Sequence, residues 1–181
     1  MNIKHAEPAD SSRRDFMKIG LCAGAFLSTA SLTASLSGCS ASTAANGFAV
    51  LRDSDLPFLR ALIPVMLEGS LNGTSLQQAI DDTLRYIDNG LNSLSPEMLT
   101  LSLQLFDVLT LPLTRGPLAG IWGRWENASR EQIRMFLARW QNSSLNLLRQ
   151  GHSALLQLIL MAWYSSPQSW VHCGYPGPPK I

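Results

Sequence analysis

The sequence predicts an all-α protein: a small helical bundle of about five to six helices with an extended Pro/Gly-rich C-terminal tail. Three observations support this prediction. From Ser54 onward, apolar residues return at steps of three and four, which is the spacing of one helix face. Several of these runs follow a residue that caps helices, such as Ser95 or Ser129. After Ser165, closely spaced prolines and glycines end the helical pattern.

The chain begins with the three parts of a secretory signal. A basic stretch contains Arg13 and Arg14, an apolar run diluted by Gly, Ser and Thr spans residues 19–36, and small residues follow. The paired arginines with Phe16 and Lys18 resemble a twin-arginine leader, an address that a translocase recognises. This resemblance implies export of a chain that is already folded. The alternative is a chance Arg-Arg before a weak membrane helix, but the run is short of the roughly 20 apolar residues that a span needs.

The end of the leader is compatible with two kinds of processing. Leu36-Ser37-Gly38-Cys39 resembles a bacterial lipobox, which would put a diacylglycerol on the Cys39 sulfur and make Cys39 the mature N-terminus. The lipid would hold the protein on a membrane, since each buried methylene contributes about 0.8 kcal/mol. The alternative is ordinary cleavage near Thr43-Ala44-Ala45. Residues 1–39 are therefore predicted to be a twin-arginine signal peptide with a lipobox-like end, and the protein is expected in the periplasm, tethered as a lipoprotein.

Composition limits what the remaining chain does. Residues 40–52 are predicted to be a flexible tether, because Ser-Ala-Ser-Thr-Ala-Ala-Asn-Gly at its start is small and polar, so the helical domain is expected over residues 53–181. Residues 40–181 contain ten basic and ten acidic side chains, which argues against nucleic-acid binding and against an electrostatic membrane patch. Membrane contact is expected only through lipid or a partner. Cys39 and Cys173 do not make a disulfide framework, and they could pair only if Cys39 escapes lipidation.

Caps and apolar spacing predict the first three helices. Asp53-Ser54-Asp55 precedes a helix to Met66, Thr74-Ser75-Leu76-Gln77 forms a capping box before a helix to Leu91, and Ser95 caps a third helix. Asp81, Asp82 and Asp88 on the second helix could suggest a metal site. We interpret them as a solvated helix face, because no histidine or fourth acid lies at ligand spacing.

Three further segments are predicted to be helical. Pro112 and Gly116-Pro117 should break the chain before a short helix over Leu118–Trp125, whose tryptophans and glycines indicate close packing. A capping box at Ser129 begins a long amphipathic helix that Gly151 should end. The segment from His152 to Ser165 is apolar nearly all round and is expected to run through the middle of the bundle.

The chain shows no catalytic, cofactor-binding or metal motif. There is no Cys-x-x-Cys-His, no His-Glu-x-x-His and no Gly-rich phosphate loop. His152 is interpreted as a capping or surface residue, and His172 beside Cys173 supplies too few ligands for a metal. We therefore predict no active site and no cofactor in this chain.

The tail contains the residues predicted to bind a partner. Its prolines are expected to hold it extended, and aromatic residues with polar tips are typical of interfaces. The predicted contacts are Trp170, Gly174, Tyr175, Pro176, Gly177 and Pro178. The alternative is a tail that folds back over its own core.

Leader and tail together resemble one family. The all-helical, twin-arginine chain ends with Tyr164-Ser165-Ser166-Pro167, then Trp170, then Gly174-Tyr175-Pro176-Gly177-Pro178. In this combination it is similar to the gluconate 2-dehydrogenase small-subunit (subunit 3) family, over most of residues 53–179. The resemblance implies a non-catalytic subunit that escorts an FAD-dependent alcohol, sugar or sugar-acid dehydrogenase through export. FAD would lie in the large subunit, and a cytochrome c subunit could complete the complex. The rival hypothesis is a free-standing helical envelope lipoprotein with a structural or binding role.

Overall fold

The computed structural model describes residues 43–70 and 75–177, and within them it confirms the all-α prediction. Thr43–Ile181 form a compact unit. Its helices are α1 (Leu56–Met66), α2 (Leu76–Asn92), α3 (Pro96–Thr110), α4 (Pro112–Ala119), a 3₁₀ turn (Trp125–Asn127), α5 (Arg130–Gln141), α6 (Asn146–Tyr164) and α7 (Pro167–Cys173). In this part of the chain, no helix combines the length and apolar character that crossing a membrane requires.

The middle of the bundle is α1, not the late helix that the sequence predicted. Helix α1 packs against α2, α5, α6 and the 3₁₀ turn. None of its residues is exposed, and Arg60 is its only charged residue. Helix α6 instead leaves Leu147 and Met161 at the surface, 77 % and 72 % exposed. Because a short apolar helix can be covered on all sides, α1 takes the central place, whereas α6 buries one face and exposes the other.

A chain of aromatic rings joins the helices through the core. Phe58 of α1 meets Phe106 of α3 edge-on at 5.1 Å, and Trp125 lies 6.1 Å from Phe58. Phe136 then bridges Trp125 and Trp140 of α5, at 6.0 and 4.9 Å. Such edge-to-face pairs contribute about 0.5–1.5 kcal/mol each beyond the area they bury. This chain fixes α5 and the 3₁₀ turn against α1.

Two of the predicted caps are confirmed and one is wrong. The Ser95 hydroxyl accepts from the Met98 amide, and Ser129 with Gln132 forms the complete capping box. Asp55 does not cap α1, because its buried carboxylate accepts two hydrogen bonds at 2.8 Å from the Arg52 guanidinium. Thr74 lies outside the described residues.

Two predicted helix boundaries are wrong. The break expected at Pro112 is present, because α3 ends at Thr110 and α4 begins at Pro112, where proline suits the first turn. The break expected at Gly116-Pro117 is absent, and α4 ends at Ala119 rather than covering Leu118–Trp125. Gly120 ends it with φ +74°, a backbone conformation that favours glycine. Gly151 does not end a helix either, because α6 passes through it and uses its missing side chain for close packing.

The predicted tether is wrong for residues 43–52, which belong to the folded unit. Asp88 of α2 holds this segment: its carboxylate accepts from the amides of Ala49, Val50 and Leu51 at 2.8, 2.8 and 2.9 Å. Leu51 is fully buried, and Asp88 is 5 % exposed rather than part of a solvated face. The carboxylate replaces the partners that these three amides would otherwise find in water. Residues 40–42 lie outside the described residues.

Candidate functional site

The structure describes only part of the predicted functional residues. Arg13, Arg14, Phe16, Lys18, Cys39 and Pro178 lie outside the described residues, so the predicted export signal and lipidation site stay predictions. The remaining tail residues, 170 and 174–177, lie together with Tyr164 in a compact turn that we call the C-terminal hook (residues 164–177).

The C-terminal hook is organised around Trp170. Its indole N–H donates to the Tyr164 carbonyl at 2.9 Å, and its ring meets Tyr175 edge-on at 5.5 Å. The chain turns at Gly174, with φ +65°, and Tyr175 then donates its amide to the Trp170 carbonyl at 3.0 Å. Gly177 lies so close that a Cβ there would be 3.1 Å from the Trp170 ring. Trp170 is therefore a support within the hook, and the predicted anchors touch each other.

The extended conformation predicted for the tail is wrong for Pro167–Cys173, which form α7. Ser166 caps this helix by accepting from the Gln168 amide, and Pro167 takes the first turn, where its missing N–H is harmless. Gln168 also donates to Asp82 of α2 at 3.1 Å, which ties the hook to the bundle. Tyr175 and Tyr164 remain 49 % and 47 % exposed, so the hook presents two aromatic side chains to solvent.

A further exposed aromatic residue lies on the loop after α4. Trp122 is 78 % exposed, and its ring rests on Gly116, where a Cβ would come within 2.7 Å of the ring. Leu113, on the same helix as Gly116, is 87 % exposed. Trp125 is buried instead, with its indole N–H donating to the Leu109 carbonyl at 2.8 Å. The close packing predicted for the two tryptophans is therefore right for Trp125, whereas Trp122 covers a glycine and faces solvent.

Two arginines bind backbone carbonyls in the segment that leads to Trp122. Arg139 of α5 donates to the Leu118 carbonyl, and Arg115 donates to the Ile121 carbonyl at 3.2 Å. Arg139 and the half-exposed Met135 border a shallow cleft of about 280 Å³ beside Gly120. We call the exposed side chains of Leu113, Trp122, Met135 and Arg139 the Trp122 surface.

A shallow apolar groove of about 170 Å³ separates α3 from α6. Met98 and Leu101 of α3 form one side, with exposed fractions of 52 % and 59 %. Ala154 and Leu158 of α6 form the other. The groove contains no charged lining residue, so it offers apolar contact and no catalytic group.

The titratable groups of the described residues are dispersed. Burial tends to raise the pKa of Asp81, but hydrogen bonds from Arg60 and Gln77 outweigh it and leave that pKa below its usual value. Burial lowers the pKa of His152, which lies inside α6 rather than at a helix start. Among the described residues, no three His, Cys, Asp or Glu side chains come together in a way that could hold a metal ion.

Comparison with known proteins gives no relative. No family model matches the chain, and no curated protein or solved structure matches it. The small-subunit resemblance therefore depends on the leader and tail residues quoted above.

Sequence reasoning missed Asp88 and Trp122. The backbone groups that Asp88 binds are up to 39 residues away in sequence, so no local pattern identifies them. A signal did exist for Trp122, since it lies between glycines in a segment without apolar periodicity, where a large side chain has no helix face to join.

Proposed function

We propose that this chain is a non-catalytic small subunit that escorts and assembles a periplasmic FAD-dependent alcohol, sugar or sugar-acid dehydrogenase through twin-arginine export. The observation that carries the proposal is the exposed apolar and aromatic surface of the helical domain. Leu113, Trp122 and Leu147 are each more than three-quarters exposed, at 87 %, 78 % and 77 %. Aromatic residues, Met and Arg are enriched where proteins bind each other, so this surface fits a subunit better than an isolated protein.

The charge of the same region suggests the chemistry of the partner. Residues 111–149 contain six arginines and two glutamates, a net charge of +4. The Trp122 surface lies within this region, and its Arg139 makes no salt bridge within 4.0 Å among the described residues. Complementary charge guides association and excludes wrong partners. The large subunit is therefore expected to present an acidic rim around an apolar pocket.

The proposal is tested by a tagged chain expressed in its native host. The expected result is that it co-purifies with a yellow protein that releases FAD on denaturation and whose own sequence begins without a leader. Arg13→Lys with Arg14→Lys should keep both proteins in the cytoplasm, because the partner travels on this chain's address. Arg85→Lys with Arg130→Lys is the matched control, with the same chemical change in the helical domain, and both proteins should still be exported.

Two outcomes would contradict the proposal. If no FAD protein accompanies the chain, the free-standing envelope protein becomes the better hypothesis. If the flavoprotein reaches the periplasm in the double-lysine leader variant while this chain does not, the escort role is wrong even where the two proteins bind.

A further inference from the structure

The segment that follows the leader is part of the fold from its first described residues. Ala45 is 3 % exposed, and its amide donates to the Leu51 carbonyl at 2.7 Å. Ala44 pairs with Arg52 in an antiparallel bridge, and Gly47 turns the chain between them with φ +84°. Residues 44–52 are therefore a closed loop with its ends paired.

The second half of this loop is attached to the helices, and the first half is paired to it. Asp88 holds residues 49–51 through the three amide hydrogen bonds described above. Arg52 contacts Asp55 at the start of α1 and pairs with Asp107 of α3 at 2.7 Å. The hydrogen bond that Arg52 donates to the Asp55 carboxylate raises the pKa of Arg52 further, although burial opposes this, so the guanidinium stays charged. Opening the loop would leave several buried polar groups without partners.

This attachment bears on where the leader can be cut. A protease needs an exposed and locally unfolded stretch around the bond it cleaves. Small residues at 43–45 form a sequence pattern for ordinary signal cleavage, but Ala44 and Ala45 are held in the closed loop. A chain that is already folded when it is exported presents the bond after Ala45 in its protected form.

We propose that the folded domain protects the Ala45–Asn46 bond and confines removal of the leader to bonds before Thr43. The hydrogen bonds that Asp88 accepts keep the loop closed, and we call Asp88 the latch. The inference rests on the proposed export of an already folded chain, and it deepens that proposal by stating which residues the mature protein keeps. Residues 43–52 are then a permanent part of the domain.

The protection is measured on the purified full chain with elastase, which cuts after small residues. A synthetic peptide of residues 40–50 supplies the unprotected reference for the same bond. New N-termini at Ala45 and Asn46, counted by mass spectrometry, should form at least about tenfold more slowly in the chain, because cleavage follows the population of the open form. A rate within tenfold of the peptide would overturn the proposal.

Two variants identify the latch. Asp88→Ala should increase cleavage after Ala45 by at least about tenfold, while Asp82→Asn, earlier on the same helix, should leave it at the parent rate. Parent-like protection in Asp88→Ala would show that Asp88 is not the latch. If circular dichroism shows that Asp88→Ala has lost its helices, Asp88→Asn, which keeps one acceptor oxygen, takes its place.

The exported protein provides the second measurement. Its mature N-terminus is expected at or before Thr43, and an N-terminus at Ala45, Asn46 or later would overturn the inference. If no processed protein leaves the cytoplasm, the export proposal fails, but the elastase result on the purified chain still decides whether the loop is protected.

Discussion

Replacing glycine by alanine should change the stability of the domain in opposite directions at two helical positions, Gly151 and Gly90, because only Gly151 lies against Trp140. A Cβ at Gly151 would lie 2.6 Å from Cζ3 and 3.2 Å from Cε3 of the Trp140 ring. The ring cannot easily move, because its N–H donates to the Leu118 carbonyl at 2.9 Å and its edge packs on Phe136. Gly90, in α2, has nothing within 4 Å of the same position.

The magnitudes follow from helix propensity and packing. Alanine is favoured over glycine by about 0.8–1.0 kcal/mol in a helix interior, so Gly90→Ala should raise the free energy of unfolding by somewhat less than 1 kcal/mol near the helix end. Gly151→Ala gains the same propensity but overpacks a well-filled core, which costs typically 1–3 kcal/mol. The net change at Gly151 should be a loss of up to about 2 kcal/mol.

Urea unfolding followed by circular dichroism measures both variants. The two midpoints should move in opposite directions while the slope of the transition stays the same, since neither change alters the surface exposed on unfolding. A difference of 1 kcal/mol corresponds to a shift of about 3–5 °C in Tm for a domain of this size. If Gly151→Ala is as stabilising as Gly90→Ala, the close approach of α6 to Trp140 is wrong.

Three further predictions concern the proposed contacts and pH. Trp122→Ala should weaken binding of the flavin subunit by about 2 kcal/mol, roughly thirtyfold, with the helix content unchanged. Trp125→Ala should instead lower the Tm, because that ring is buried. If Trp122→Ala binds with parental affinity in a titration, the proposed contact is wrong. Tyr175→Ala should weaken the same complex without unfolding the chain, and Trp170→Ala with Tyr175→Ala should weaken it by about two or more powers of ten. If α7 is also unfolded in the double variant, the hook supports the fold instead. The pKa of His152 is lowered in the native state, so the unfolded chain binds the proton more readily. The free energy of unfolding should therefore fall as pH drops below about 6.5 and stay level above it. His152→Gln should remove this part of the pH dependence of unfolding, and an unchanged dependence would assign it to other groups.

The sequence by itself determined the class of fold and the local starts of several helices. Ser95 and Ser129 were predicted as caps and are caps, because a cap acts on amides two or three residues away and needs nothing from the rest of the chain. The spacing of apolar residues likewise determined that α2 and α5 each bury one face.

The tertiary structure alone decided which of several similar residues is buried. Trp122 and Trp125 are three residues apart in the same sequence context, and only the position of Leu109 and the 3₁₀ turn selects Trp125 for the core. Gly151 predicts a helix end on local grounds, yet the helix continues because Trp140 fills the space that a side chain would take.

The same holds for the start of the folded domain. Residues 43–52 begin with small and polar residues at 43–47, which predict a tether, because composition counts the apolar surface that a segment can bury and not the hydrogen bonds that it can make. Asp88 supplies an acceptor for three of their amides from a helix 37 to 39 residues later. A local pattern cannot show such a partner, since two segments so far apart in sequence become neighbours only once α1 and α2 have packed.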